Sequence, residues 1–459
     1  MRNWSRLGGG LLLAALLTLT MLRPTPAQAV PAFAQQTGQP CTACHIGAFG
    51  PQLTPFGRAF KIGGYTQQGG TGLAANIPLS AFMLGSFTHT AAPQPTPPAD
   101  GFNDNNNPAF DQISVFLAGR ATDFAGGFIQ GTWSGTQHAF KLDNTDLRLT
   151  TPLALGTTEL RVGVSINNGP TVQDPYNSTF VWIFPFAQSA LAPTPTAEPL
   201  LANGLVGNSV GVTAYAWYDQ RLYLEAGGYE TYGPSLLSGF GTTYGPGSTA
   251  NIAPYARAAY QWLWNGQSAY VGALFLGASI NPAVGSRTAN GSQGQNQFND
   301  YGIDGGYQFL GDGTHIGTLN GIFVHEAQNL QGSFNMGTSS QVSNSLNQIR
   351  TNATYYYRNT YGLTVAWQYT WGTPNPLLFP AQPVTGSANG KPDSKAWIFE
   401  ADWVPFGKGD SWGRPFANLK IGLQYTLYTL FNGGTRNYDG FGRNASNNNT
   451  IFLYAWTAF

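Results

Sequence analysis

From about Leu79 to the C-terminus the chain repeats one unit, a segment of alternating character followed by a turn or loop. In residues 361–371, Tyr361, Leu363, Val365, Trp367, Tyr369 and Trp371 share one face, and Gly362, Thr364, Ala366, Gln368 and Thr370 share the other. A period of two is that of a β-strand. Residues 418–428 repeat the pattern, with Leu419, Ile421, Leu423, Tyr425 and Leu427 opposite Asn418, Lys420, Gly422, Gln424 and Thr426. A soluble sandwich would bury such an apolar face against a second sheet. Here the opposing face stays small and polar over many strands, which suits a barrel with lipid outside and water or a plug inside.

Sixteen such segments start near residues 79, 110, 122, 140, 157, 205, 221, 253, 268, 299, 315, 345, 361, 396, 416 and 449. The expected fold is therefore all-β, a sixteen-stranded antiparallel transmembrane barrel, and an even strand number is the bacterial outer-membrane rule. Long connections, such as 91–109, 168–204 and 372–395, are separated by short ones such as Tyr218-Asp219-Gln220 and Arg358-Asn359-Thr360. Long extracellular loops and short periplasmic turns produce this alternation. The link at residues 134–137 breaks it, being short where a long loop is due. The chain ends on Phe459, in an alternating strand that resembles the assembly signal of outer-membrane proteins.

Composition agrees. The 59 glycines, 14% aromatic residues and 9% charged residues fit neither a helical membrane protein nor an ordinary soluble domain. Residues 1–29 read as a secretory signal peptide: Arg2 and Arg6, an apolar run, then Ala27-Gln28-Ala29. No later apolar run approaches the ~18 residues of a spanning helix. Removal of residues 1–29 takes Lys+Arg from 21 to 18 against 21 Asp+Glu, a charge near −3. With no basic patch, nothing points to nucleic acid.

The two cysteines stand together in Cys41-Thr42-Ala43-Cys44-His45. C-x-x-C-H is the pattern in which two thiols take up haem vinyl groups and the imidazole reaches the iron. Zinc would need more Cys or His close by, and residues 46–88 hold none. A thioredoxin-like use would need a βαβ setting. The expected cofactor is one covalently attached haem c on Cys41, Cys44 and His45. Gly50-Pro51 sets a turn, and "FGPQL" resembles the segment of small class I cytochromes c whose proline carbonyl accepts the proximal imidazole's second N–H. That likeness implies that Pro51 orients His45. Thr54-Pro55 reads as an N-cap and first helical residue, with a stop at Gly63-Gly64 and with Phe56 and Phe60 on one face to cover the haem.

The haem segment, residues 30–78, is near the size at which an unaided core fails. It is expected to lean on the barrel, residues 79–459, at its periplasmic mouth. His45 is the only His or Met between Val30 and Phe82, so a conventional sixth iron ligand comes from elsewhere. Alternation puts Met83 and His89 on one face of the first strand. Met83 is the preferred distal ligand, because a thioether raises the potential. His89, Lys61 and an open or water-bound site are the alternatives.

With residues 31–38, Cys41 to His45, residues 53–66 and residues 77–90, the chain resembles the fused outer-membrane cytochrome-porins, best known as iron oxidases of iron-oxidising bacteria. Residues 167–180 are similar to a family segment as well, whereas the rest of the barrel matches in architecture only. Gln35 stands where such proteins are expected to carry Arg, which removes a positive charge near the haem. The resemblance implies a monohaem c-type cytochrome inside or capping the barrel. Electrons would pass from an extracellular donor, Fe(II) first among candidates, to a periplasmic c-type cytochrome or other soluble acceptor. Glu400 and Asp402 share a face opposite Trp397, Phe399 and Trp403, so both are expected to point into the lumen, where oxygen ligands suit a hard cation. Asp174 sits in a long loop that could fold inward as porin constriction loops do. Each acid has a plainer reading, as lumen charge or a surface turn. The competing functions are a diffusion porin with a haem-bearing plug or sensor, a conduit for a donor other than iron, and a haem enzyme.

Overall fold

A computed structural model describes residues 31–72, 76–283, 289–409, 411 and 417–459; the expected signal peptide lies outside them. In chain order the strands are β1 (Leu79–Thr90), β2 (Asn107–Arg120), β3 (Ala125–Ser134), β4 (Ala139–Leu155), β5 (Thr158–Asn167), β6 (Ser209–Tyr218), β7 (Leu222–Thr231) and β8 (Gly247–Thr249). There follow β9 (Ala253–Trp264), β10 (Gln267–Pro282), β11 (Asn296–Phe309), β12 (His315–Asn329), β13 (Ser343–Tyr357), β14 (Tyr361–Gly372), β15 (Ser394–Trp403), β16 (Asn418–Leu430) and β17 (Thr450–Ala458).

Each neighbour pairs antiparallel, and the ring closes because β1 bonds to both β2 and β17, with Phe82 opposite Ser114 on one side and Ala458 on the other. β8 is extra. It pairs with the end of β10 through Ile280 and Thr249, while β7 pairs directly with β9, so sixteen strands make the ring. Those sixteen strands begin within four residues of their expected starts. The long hydrophobic alternation is what made them legible. β8 escaped notice because three residues carry no period.

The apolar face points outward, as at Leu363, Leu423 and Leu453. Short turns and the ends of the barrel chain share one rim, where Ala81 and Phe459 exchange backbone hydrogen bonds. Asp219, Gln220, Arg358 and Asn359 all take positive φ in these turns. A closed barrel with outward apolar strands satisfies its whole backbone internally, the condition for crossing a bilayer. The short 134–137 link is real: β3 ends at Ser134 and β4 starts at Ala139.

Two inserts occupy the lumen. The first is the N-terminal segment, with α1 (Pro31–Thr37), α2 (Cys41–Cys44) and α3 (Pro55–Ile62). As its sequence predicts, α3 starts where Thr54 Oγ1 accepts from the Gly57 N–H at 3.2 Å, and it stops at Gly63, with Gly64 at φ +69°. Gly57 is required for packing, because a Cβ there would lie 2.4 Å from the Cys44 carbonyl oxygen. The second insert is the 168–208 connection between β5 and β6, which folds inward over the first.

The segment lies within the short-turn end of the barrel, bonded to strands around the ring. Gln52 Nε2 donates to Thr318 Oγ1 at 3.0 Å, Gln308 Nε2 to the Leu53 carbonyl at 2.8 Å, and Tyr215 Oη to the Ile62 carbonyl at 2.7 Å. Across the ring Asn418 Nδ2 donates to the Ala48 carbonyl at 2.7 Å, and the Arg120 N–H to Gln36 Oε1 at 2.7 Å.

Candidate cofactor site in the barrel lumen

Cys41 is buried with Ala48, Phe49, Val404 and Ala458 at the seam between the segment and the wall. One helical turn on, Cys44 and His45 open onto a cavity of about 410 Å³. Segment, inward loop and barrel wall all contribute to it. Aromatic rings contribute much of its lining, including Phe60, Phe116, Phe128 and Phe186, with Phe82 and Phe116 at 4.6 Å and Phe49 and Trp456 at 5.1 Å between ring centres. Polar groups on the same cavity include Gln130 and Asp143, whose carboxylate accepts from Thr132 Oγ1 at 2.9 Å.

Burial pushes the Cys44 thiol up to about 12, with the neighbouring Cys41 adding to the effect, so it is not a reactive thiolate. Burial also pulls His45 down to about 4, an effect the Gly50 backbone beside it partly offsets. The imidazole is thus neutral at physiological pH, the form that binds metal. Its Nδ1 is buried without a hydrogen-bond partner. Cys44 and a neutral imidazole on a cavity bordered by aromatic rings, with Cys41 buried one turn back at the seam, are a donor set and a container that fit a haem held through this motif. Among the described residues no group of three or more His, Cys, Asp or Glu comes together to hold a metal ion otherwise.

The other expected residues fall as follows. Pro51 lines the cavity, but its carbonyl accepts from Asn177 Nδ2 of the inward loop at 2.7 Å. Phe60 lines the cavity and Phe56 does not. Lys61 lines it too, its Nζ donating to the Val172 carbonyl and Asn177 Oδ1, both at 2.9 Å, and lying 4.9 Å from the Trp182 ring centre. Met83 and His89 do share a face, but it is the outward one. Phe82, on the other face, lines the cavity, and outward Phe87 is exposed. The distal ligation expected of Met83 is therefore a pairing that this structure does not bring together. His89 sits at the far rim, with Nδ1 2.7 Å from Asn106 Oδ1.

Glu400 and Asp402 face the lumen, where Lys420 Nζ lies 3.0 Å from Glu400 Oε1 and 3.4 Å from Asp402 Oδ2. Tyr356 Oη adds a bond to Asp402 at 3.0 Å. One lysine is thus shared between the two carboxylates. Asp174 does fold inward and is fully buried. Its carboxylate accepts the N–H groups of Tyr176, Ser178 and Thr179 at 3.0, 2.9 and 3.1 Å, with Arg257 Nη2 at 3.3 Å. Burial raises its pKa, yet Arg257, Lys61 and these donors outweigh that and hold it below the ordinary range. Asp174 acts as the staple of its own loop.

Sequence reasoning did not single out Asn177, Arg257, Asp304 or Lys420. Lys420 lies in the polar parity of β16, a signal that was present. Its meeting with Glu400 and Asp402 depends on strand register, with Glu400 opposite Gln424 and Asp402 opposite Gly422.

No family model matches the chain, and no curated protein matches it. Solved structures similar to it include the Salmonella typhi OmpF complex with daunomycin (11% identity, 83% of this chain and 97% of that chain, TM-score 0.45). Others are the DcaP channel of Acinetobacter baumannii (14%, 83% and 96%, 0.44) and an anion-selective porin from Comamonas acidovorans (12%, 83% and 98%, 0.43). The closed ring, the outward apolar belt and the loop folded into the lumen define a porin-like outer-membrane barrel. Its distinguishing part is the N-terminal segment in the lumen.

Proposed function

We propose that the chain is an outer-membrane electron-transfer protein, a monohaem c-type segment seated in a porin-like barrel. The observation that carries the proposal is that Cys44 and His45 of the single C-x-x-C-H motif open together onto an aromatic cavity inside the lumen. Cys41 and Cys44 would hold haem c covalently and His45 its iron; bound there, it supplies one-electron redox chemistry.

The chain's own contribution is containment and access. Phe82, Phe116 and Trp456 keep one side dry, and Trp182 and Phe186 of the inward loop cover another. The loop stands between the site and the long-loop rim, which is the donor's side, and the segment stands at the short-turn rim, which is the acceptor's. An extracellular one-electron donor, Fe(II) by preference, would thus be kept apart from a soluble periplasmic cytochrome.

The test is direct. Purified protein carrying the extra covalent mass of one haem and a c-type pyridine haemochrome supports the reading, and Cys41→Ala/Cys44→Ala should lose both. Stopped-flow reduction of the oxidised protein by Fe(II), with saturation, identifies the donor. Reduction by other donors alone would move the assignment away from iron. A diffusion porin is the second reading, favoured by the porin-like ring and inward loop; rapid solute entry into liposomes with no covalent haem would select it.

A further inference from the structure

We propose that Asp143 is the place where a cationic one-electron donor meets the cofactor cavity, its carboxylate taking the ion with the Gln130 and Asn144 amides beside it. The role rests on the haem reading above, which supplies the electron's destination.

Strand register puts these three side chains together. β3 and β4 pair from Ser134 with Ala139 to Gly131 with Leu142, and pairing resumes at Ile129 with Thr145. Gln130 therefore stands against two residues, Asp143 and Asn144, a bulge of the kind that re-aims side chains. All three line the cavity onto which Cys44 and His45 open, and Asp143 is the one acid among the described residues lining it. The connection above them is the short link between Ser134 and Ala139, whereas loops such as 91–106 and 168–208 stand elsewhere on that rim. This part of the wall has no long loop of its own.

The Asp143 carboxylate is held but not neutralised. Its Oδ2 accepts from Thr132 Oγ1 at 2.9 Å and from Gln130 Nε2 at 3.3 Å, both uncharged. Asp146, Asp174, Asp304, Glu400 and Asp402 pair with Arg148, Arg257 or Lys420. Among the described residues Asp143 makes no ion pair, Lys141 two places nearer the rim included. An unpaired carboxylate flanked by amides is an oxygen donor set for a hard divalent ion. Fe(II) there would give one electron to the oxidised haem and leave as Fe(III), with no bond of the protein made or broken. A single acid binds loosely, which turnover requires of a site whose product carries one charge more.

Asp143→Asn keeps an acceptor for Thr132 and removes the charge. In stopped-flow reduction of the haem-loaded, oxidised protein it should raise the Fe(II) concentration at half-saturation about tenfold, while reduction by uncharged hydroquinone stays as in the wild type. Asp104→Asn, which removes an exposed acid from the same rim, should change neither. Mn(II) reads binding without turnover: its free-ion EPR signal should fall on addition of oxidised wild-type protein and persist with Asp143→Asn. Equal half-saturation and Mn(II) binding in wild type and haem-loaded Asp143→Asn overturn the proposal. So does an equal loss with hydroquinone or in Asp104→Asn, or a haem-loaded wild type that Fe(II) leaves oxidised. Wild-type protein without covalent haem overturns the underlying reading as well, and the mass and haemochrome measurements separate that case from the others.

Discussion

The N-terminal segment and the 168–208 loop share one lumen and both bond to strands around the ring, but the loop adds a buried ion cluster of its own. Gln52, Leu53, Ala48, Ile62 and Gln36 each meet a different strand or rim of the ring. The loop also bonds to β1, β4, β13 and β16, but its buried carboxylate contacts gather at β9, β11 and β12. Arg257 Nη2 lies 2.8 Å from Asp304 Oδ2 and 3.3 Å from Asp174 Oδ1, and all three side chains are fully buried. Asp300 and Glu326, directly opposite each other on β11 and β12, accept the Leu201 and Leu200 N–H groups, each at 2.6 Å. Distributed neutral ties degrade gradually when one is lost. Concentrated ionic ties fail together, because removing one partner leaves the other charge buried.

The largest expected effect follows from that contrast. Arg257→Ala strands two carboxylates in the lumen and should weaken loop attachment by about 3–5 kcal/mol. Proteolysis within residues 168–208 should accelerate and single-channel conductance in planar bilayers should rise, with the segment still protected. Equal loosening of both inserts would break the distinction. Asn418→Ala and Gln52→Ala should each cost segment docking about 1 kcal/mol. Because their partners lie apart on the ring, the double variant should be close to additive, as protease protection of residues 31–72 would measure; strong non-additivity would mean that the segment docks as one cooperative latch.

The smallest effect is a pH slope where the two inserts meet. Burial holds the Lys61 amine down to about 7, against attractions from Asp146 and Asp174 that raise it. The ordinary value is 10.5, so between about pH 7 and 10.5 the undocked segment binds more protons than the docked one. Docking should therefore strengthen as pH rises through that window and lie at its low plateau below it. Lys61→Met should flatten the slope, read by protease protection across pH.

What was legible in the sequence is what local period encodes. Sixteen strand starts, the Thr54 cap, the Gly63-Gly64 stop and the outward apolar face each follow from a few neighbouring residues. The C-x-x-C-H motif was equally local, and the structure places its Cys44 and His45 on a cavity. Partnerships across the lumen were not legible. Lys420 meets Glu400 and Asp402, and Asn177 meets Pro51, through register and loop path, which no short stretch specifies. Met83 illustrates the boundary. Period two correctly put it on one face with His89, but which face looked inward was a separate question. The polar set Ser80, Ser86, Thr88 and Thr90, alternating with Met83, held the answer.

The ring closes where β1 meets β17, and Cys41 is packed behind that join with Phe49, Ala458, Phe82 and Trp456 around it. An enzyme working on the two thiols needs the chain in hand, and a finished cylinder leaves it no grip. On the haem reading proposed above, maturation is a matter of timing: the cysteines would be modified while the polypeptide is still in transit, and the last strand to be made would turn the lock on work already done.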